Sequence, residues 1–125
     1  MTIIVDGVKT ETLSFNGLNL IPGEKQEYYI NLLSQGSRSF NVGLNFQQIK
    51  EGGLSKYVNV CVKHNDTFFN DSLINLYSSD NPISFDCSFS SNQAEKILVQ
   101  YSIPLDVNNE AQNKFADFDI LLSIK

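Results

Sequence analysis

The chain has 125 residues, of which 42% are hydrophobic, and nine basic against fourteen acidic residues give it a net charge of −5. This length fits one domain, residues 1–125, with enough apolar side chains for one core. Nucleic acids and anionic membranes select clustered Lys and Arg, so the acidic balance and the scattered basic residues argue against both as the main partner. No apolar run approaches the ~20 residues of a membrane-spanning helix, and no export signal is evident in the chain as given, so we expect no membrane insertion.

The N-terminal stretch Thr2–Val8 is strongly β-forming and predicts the first strand. Its consecutive β-branched residues are Ile3, Ile4 and Val5. A second short strand is predicted around Leu13 and Phe15, where apolar and polar residues alternate until Asn16-Gly17 marks a turn.

Alternation of apolar and polar residues predicts further strands in the middle of the chain. Pro22-Gly23 suits a type II turn before the run Lys25–Leu33. In that run, Tyr29 and Leu33 fall on the outward face. The cleanest alternation, with four apolar residues spaced two apart, is Phe40–Phe46.

The next segment predicts a strand, a loop and another strand. The strand is Tyr57–Lys63, and the polar loop Asn65–Ser72 contains Phe68 and Phe69. Two adjacent phenylalanines in a loop indicate either a contact surface or a loop folded over one end of the domain. A further short strand is predicted at Ser72–Ser78.

The C-terminal third predicts a strand at Ile83–Phe89 and two alternating runs within Lys96–Lys125, joined by the polar loop Pro104–Asn113. Only Gln93–Leu98 and Asn109–Ala116 fit a short helical turn, and neither has the 3.6-residue spacing of a packed helix. Together the runs predict an all-β fold. We expect two packed antiparallel sheets, a jelly-roll or immunoglobulin-like sandwich, with eight to nine short strands.

Cysteine and histidine are too few for the common catalytic and metal sites. Cys61 and Cys87 have opposite phases relative to the apolar residues of their strands, which favours free thiols over a disulfide. The single histidine, His64, is predicted to be an edge-of-strand surface residue on the opposite face from Cys61. We therefore predict no catalytic residue, no cofactor and no metal site.

Several short motifs follow one another along most of the chain. They are Leu20–Glu24 with the strand Tyr28–Leu33, Leu54–Lys63, Leu73–Leu76, Ile103–Asp106 with Asn108–Gln112, and the closing strand Phe118–Ile124. In this order they resemble the TasA/camelysin-like family of secreted bacterial surface and biofilm-matrix proteins, which are jelly-roll β-sandwiches. Camelysin-like members are also described as metallopeptidases, but one histidine without paired ligands does not favour that activity here.

The resemblance implies an extracellular or cell-surface structural role. We expect a non-enzymatic protein whose partners are proteins, including further copies of itself. Fibres would form if Thr2–Val8 of one subunit completed the sheet of the next, and the alternative is an ordinary first strand within its own domain. The interaction residues that we predict are Ile3, Ile4, Val5, Phe68 and Phe69.

A different class of function remains open from the residues alone. The alternative function is that of a small binding module, which recognises carbohydrate or another ligand with the loops at one end of the sandwich. A concave patch carrying Tyr29, Tyr57 or Tyr77 would support that hypothesis.

Overall fold

The computed structural model describes residues 2–4, 9–18, 22–34, 36–77, 83–90, 93–105 and 114–124. The strands in these ranges are β1 (Thr2–Ile4), β2 (Lys9–Leu18), β3 (Lys25–Leu33), β4 (Arg38–Glu51), β5 (Asn59–His64), β6 (Thr67–Ser72), β7 (Ile83–Phe89), β8 (Ala94–Ser102) and β9 (Ala116–Ile124). A five-residue helix, α1, covers Leu73–Tyr77, and Ser55–Tyr57 forms a 3-10 turn.

The strands form two sheets. Sheet A has the order β1-β3-β8-β5-β6, and sheet B has the order β2-β9-β4-β7. The paired strands are antiparallel except for β1 and β3, which run parallel. Without β1, the orders β3-β8-β5-β6 and β2-β9-β4-β7 are those of an eight-stranded jelly roll. The predicted two-sheet antiparallel sandwich is therefore confirmed, and β1 is an addition at one edge.

The core lies between the sheets, because the alternating apolar residues turn inward from both. In β9, the buried positions within Phe118–Ile124 alternate with half-buried ones. The ring of Phe118 stacks on Phe15 of the same sheet at 5.0 Å and meets Tyr101 of sheet A edge-on at 5.8 Å between centroids. Burial of this apolar surface is the main favourable term for the fold.

The predicted loop Asn65–Ser72 is wrong, because Thr67–Ser72 forms the edge strand β6. Asn65 and Asp66 alone reverse the chain between β5 and β6, and Asn65 has a φ of 52°. Asparagine tolerates this left-handed conformation better than most residues do. Since almost all of β6 is exposed, its polar sequence lacks the alternation that identifies a half-buried strand.

The predicted strand Ser72–Ser78 is also wrong, because Leu73–Tyr77 is the helix α1. The hydroxyl oxygen of Ser72 accepts a hydrogen bond from the backbone N–H of Asn75 at 3.3 Å, as an N-cap residue does. Leu73 and Leu76 are both buried, and three residues is a helical spacing. The cap and the two leucines outweigh the apparent alternation of the segment.

Two smaller predictions also need correction. Asn16-Gly17 does not end the second strand, since β2 continues to Leu18. The register is irregular between Phe15 and Leu18, a stretch that contains Gly17, and a glycine within a strand often marks a bulge. Gln93–Leu98 holds no helical turn, because β8 begins at Ala94.

The turn at Pro22-Gly23 is confirmed, and Gly23 has the positive φ, 83°, that a type II turn requires. The proposed turn Ser79–Pro82 and residues 106–113 of the late loop lie outside the described residues. Among the residues that are described, no helix is long and apolar enough to cross a membrane.

Candidate functional site

Strand β1 lies on the outer edge of sheet A, against the C-terminal end of β3. The parallel register pairs Thr2 with Asn31, Ile3 with Leu32, and Ile4 with Leu33. The side chain of Ile4 is 47% exposed. The structure thus places two of the predicted interaction residues on a sheet edge, while Val5 lies outside the described residues.

Most of the edge of β3 extends beyond β1. Strand β3 has nine residues that pair with β8, whereas β1 pairs only with its last three. Along Lys25–Tyr28, no described strand pairs with the outer edge of β3. Such an edge offers backbone N–H and C=O groups to an additional strand.

A cleft of about 350 Å³ lies beside this part of β3, between it and β2, the edge strand of sheet B. The residues that line it are Thr12, Leu13, Ser14, Phe15, Gln26, Glu27, Tyr28 and Tyr101. The ring centroid of Phe15 is 5.2 Å from that of Tyr28 and 5.7 Å from that of Tyr101. The combination of aromatic walls with a polar rim is typical of a binding cleft.

Two buried polar atoms near this edge have no hydrogen-bond partner among the described residues, Oδ1 of Asn31 and the hydroxyl of Tyr101. Asn31 pairs with β1, and Tyr101 lines the cleft. Burial raises the pKa of Tyr101 far above its usual value, and the neighbouring Tyr28 adds to the effect, so the hydroxyl keeps its proton. A buried polar group without a partner costs about 1–3 kcal/mol, and each such group calls for an explanation.

The opposite edge of sheet A is β6, which carries the other two predicted interaction residues. Phe68 is 63% exposed and lies opposite Lys63 in the register. Phe69 is 41% exposed, and its ring packs edge-on against Phe85 of sheet B at 5.3 Å. Strand β6 contains no Lys or Pro, the residues that often protect an edge from pairing with another chain.

The prediction that His64 is a surface residue is wrong, because its side chain is only 7% exposed. It has the same phase as the inward-facing Val60 and Val62 of β5, so it points between the sheets. Its Nε2 atom lies 3.3 Å from Oε2 of Glu95 and 3.6 Å from Sγ of Cys87. The structure therefore brings together a thiol, an imidazole and a carboxylate from three different strands.

This cluster lacks the geometry of a nucleophilic triad. Glu95 and Cys87 both contact the same nitrogen of His64, whereas a triad uses one ring nitrogen for the nucleophile and the other for the acid. Burial, with smaller contributions from Glu95 and Asp86, raises the pKa of Cys87 to about 11, so its thiol is protonated at neutral pH. Only the thiolate form of cysteine is a strong nucleophile, so a thiol that keeps its proton is not activated for attack. The three side chains therefore form a buried polar contact between the sheets.

The cysteine prediction itself is confirmed, since Cys61 and Cys87 are both free. Within the described part of the chain, no group of three or more His, Cys, Asp or Glu side chains could hold a metal ion.

The three tyrosines proposed for a concave patch lie on different elements. Tyr29 lies on β3, Tyr57 in the 3-10 turn, and Tyr77 in α1, where its hydroxyl is 3.0 Å from Oγ of Ser55. None of them lines the cleft between β2 and β3.

The strand order defines the class of fold, a jelly-roll β-sandwich with an added edge strand. No family model matches the chain, and a comparison with curated proteins finds no match. The resemblance to the TasA/camelysin-like family therefore stays a prediction.

Proposed function

We propose that this protein is a non-enzymatic extracellular structural or surface protein that acts through protein–protein contacts at the edge of sheet A, with exchange of β1 between copies. The observation that carries the proposal is the position of β1. Strands β2 to β9 complete a jelly roll, and β1 adds a short parallel strand outside it. The extracellular setting rests on the family resemblance of the sequence.

The pairing of β1 is short enough to open at low cost. Its ladder has three residue pairs and involves β3 alone, and parallel pairs are slightly less stable than antiparallel ones. Segments with few contacts open at lower free energy than the core does. A copy that releases β1 can accept the β1 of another copy on the same edge, which is domain swapping. Head-to-tail exchange of this kind builds filaments when it does not close into a ring.

A strand from another copy can also pair with the open part of β3. If Thr2 pairs with Lys25 instead of Asn31, the shift of six residues keeps every side chain on the same face, because the side-chain period of a strand is two. The strand then pairs along Lys25–Glu27, beside the cleft. Such a strand brings backbone acceptors to the edge of the cleft that Tyr101 lines.

The edge at β6 adds a second contact surface. Phe68 is largely exposed on the outer face of an edge strand, and Phe69 flanks it. Exposed aromatic groups at an unprotected edge favour contact with another protein.

Size-exclusion chromatography with light scattering tests the proposal, using the full chain and a chain that lacks residues 1–8 and keeps β2 intact. We expect oligomers of the full chain and a folded monomer of the shortened one, with circular dichroism reporting the fold. Equal oligomer formation by both chains would show that β1 is not the exchanged element. Unfolding of the shortened chain would show that β1 is an ordinary strand of its own domain, and two monomeric chains would remove the basis for exchange.

A further inference from the structure

The outer face of sheet A has a shallow concavity of about 290 Å³, on the opposite side of the sheet from the cleft. The residues that line it are Lys25, Asn59, Cys61, Asn70, Gln100 and Ser102. They come from β3, β8, β5 and β6, and the register places Gln100, Cys61 and Asn70 in one row across the sheet.

The polar groups of this concavity suit neutral hydroxyl groups. Asn59, Asn70 and Gln100 supply three side-chain amides, and Ser102 supplies a hydroxyl. An amide and a hydroxyl each donate and accept hydrogen bonds, as the hydroxyl groups of a sugar do. Among the described residues that line it, Lys25 alone is charged.

One of these amides is already held in place. Nε2 of Gln100 donates to Oε1 of Glu27 at 3.0 Å, and the hydroxyl of Tyr29 donates to Oε2 of the same carboxylate at 3.3 Å. Glu27 thereby connects Gln100 with the exposed ring of Tyr29. A side chain that is ordered before binding loses less conformational freedom when a ligand arrives.

Two exposed rings border the concavity on the same face. Tyr29 and Phe68 are 48% and 63% exposed, and the register places Leu98 and Lys63 between them in one row. The row that contains the two rings lies two residues along the strands from the row of Gln100 and Cys61, a distance of about 7 Å. Across the strands, the distance from the first strand to the fourth is about 14 Å. The face therefore combines apolar rings with uncharged hydrogen-bonding groups over the length of a short oligosaccharide.

We propose that the outer face of sheet A binds a neutral glycan. The amides of Asn59, Asn70 and Gln100 bind the sugar hydroxyls, and the ring of Tyr29 packs against the apolar face of a sugar ring. The net charge of −5 works against a polyanionic ligand. An extended peptide would gain its backbone hydrogen bonds at a strand edge and not on a sheet face. This site goes beyond the proposed strand exchange and does not depend on it.

Nuclear magnetic resonance titration of the full chain with cellotetraose, chitotetraose and mannotetraose tests the proposal. We expect one of them to shift the backbone amide signals of Cys61, Asn70 and Gln100 in a saturable way, with a dissociation constant of about 1 mM or below. The double variant Asn70→Ala/Gln100→Ala should bind at least about tenfold more weakly, since two hydrogen-bonding side chains are lost. Gln47→Ala, which removes an exposed amide from β4 of sheet B, is the matched control and should bind as the unchanged chain does.

Alkylation of Cys61 by iodoacetamide gives a second readout on the unchanged chain. The half-buried thiol of Cys61 lines the concavity, whereas Cys87 is fully buried and serves as the internal control. We expect the bound tetrasaccharide to slow modification of Cys61. The proposal is overturned if none of the three sugars gives saturable shifts at about 10 mM, well above the dissociation constants of most specific ligands. Shifts on another surface, an unaffected double variant, or binding of tetraglutamine peptide without binding of any sugar would overturn it as well.

Discussion

The hydroxyl of Tyr101 gives the most direct prediction about the cleft, because the substitution Tyr101→Phe removes one oxygen and keeps the ring. The ring packs on Phe15 at 5.7 Å and on Phe118 at 5.8 Å, and phenylalanine preserves both contacts. In the monomer the hydroxyl is buried and finds no partner among the described residues. Removing a buried group of this kind relieves a desolvation cost of about 1–3 kcal/mol.

We therefore expect Tyr101→Phe to raise the free energy of unfolding of the monomer by about 1–2 kcal/mol. For a chain of this length the corresponding rise in Tm is roughly 3–8 °C. Urea and thermal unfolding of the chain without residues 1–8 measure the effect without interference from self-association. Tyr29→Phe is the matched control, since that hydroxyl is bonded to Glu27 on an exposed side chain and its loss should change stability by about 0.5 kcal/mol or less.

The same substitution should have the opposite effect on assembly. If a docked strand supplies an acceptor to Tyr101, the Tyr101→Phe chain loses that bond and should form fewer oligomers than the unchanged chain at equal concentration. A fall of about 1 kcal/mol or more in monomer stability would refute the reasoning, because it would mean that the hydroxyl already has a partner, such as a buried water.

The remaining predictions concern the other edge, the buried thiol and the helix cap. Phe69→Ala should lower the free energy of unfolding by about 1–2 kcal/mol, because the ring of Phe69 packs on Phe85. Phe68→Ala should change it by about 0.5 kcal/mol or less, because the ring of Phe68 is largely exposed. Urea unfolding compares the two variants, and equal losses of stability would contradict the packing of Phe69. The folded thiol of Cys87 stays protonated up to about pH 11 while the unfolded thiol ionises near its ordinary value of 9.0, so the unfolded state binds fewer protons and stability falls across this window. The stability difference between the unchanged chain and Cys87→Ala should therefore shrink by about 2–3 kcal/mol over that range in urea titrations, and a constant difference would contradict a raised pKa. Ser72→Ala should cost about 1 kcal/mol through loss of the cap of α1, and no loss in thermal unfolding would show that the cap hydrogen bond is unimportant.

The strands with one buried face could be predicted from the sequence, because a sandwich imposes a period of two on them. In Ile30–Leu33 and Phe118–Ile124, the inward residues are buried and their neighbours are more exposed, as the alternation predicts. The free state of Cys61 and Cys87 followed from the same argument about phase. These are properties that neighbouring residues along one strand determine.

Alternation could not identify elements that are mostly exposed or very short. Strand β6 is exposed along nearly its whole length, so no apolar pattern marks it, and the hairpin at Asn65 was the signal that could have revealed it. Helix α1 is too short for a clear period, but Ser72 is a capping residue that precedes Leu73 and Leu76, two leucines that lie three residues apart. His64 was misplaced although its phase with Val60 and Val62 already pointed inward.

The candidate sites could be predicted only in part. The β-forming character of Ile3 and Ile4 indicated a strand, but its parallel pairing with β3 depends on the order of the strands, which local sequence does not determine. The cleft, with the hydroxyl of Tyr101 in its lining, exists because β2 and β3 are edge strands of opposite sheets. Likewise, the row of Gln100, Cys61 and Asn70 needs the register of three strands.

The most direct test of strand exchange is a disulfide between two different copies. One copy carries Ile4→Cys as the donor. The other copy carries Leu33→Cys to test the register seen in the structure, or Glu27→Cys to test the register shifted by six residues. All copies also carry Cys61→Ser. Residues 4 and 27 of one chain lie about 20 Å apart along the strand in the observed register, too far for a disulfide within that chain. Strand exchange predicts a mixed disulfide dimer on non-reducing gels after mild oxidation of the two copies together. If no mixed dimer forms with either acceptor, while Ile4→Cys and Leu33→Cys in one chain close within that chain, β1 stays in its own domain and the account is contradicted.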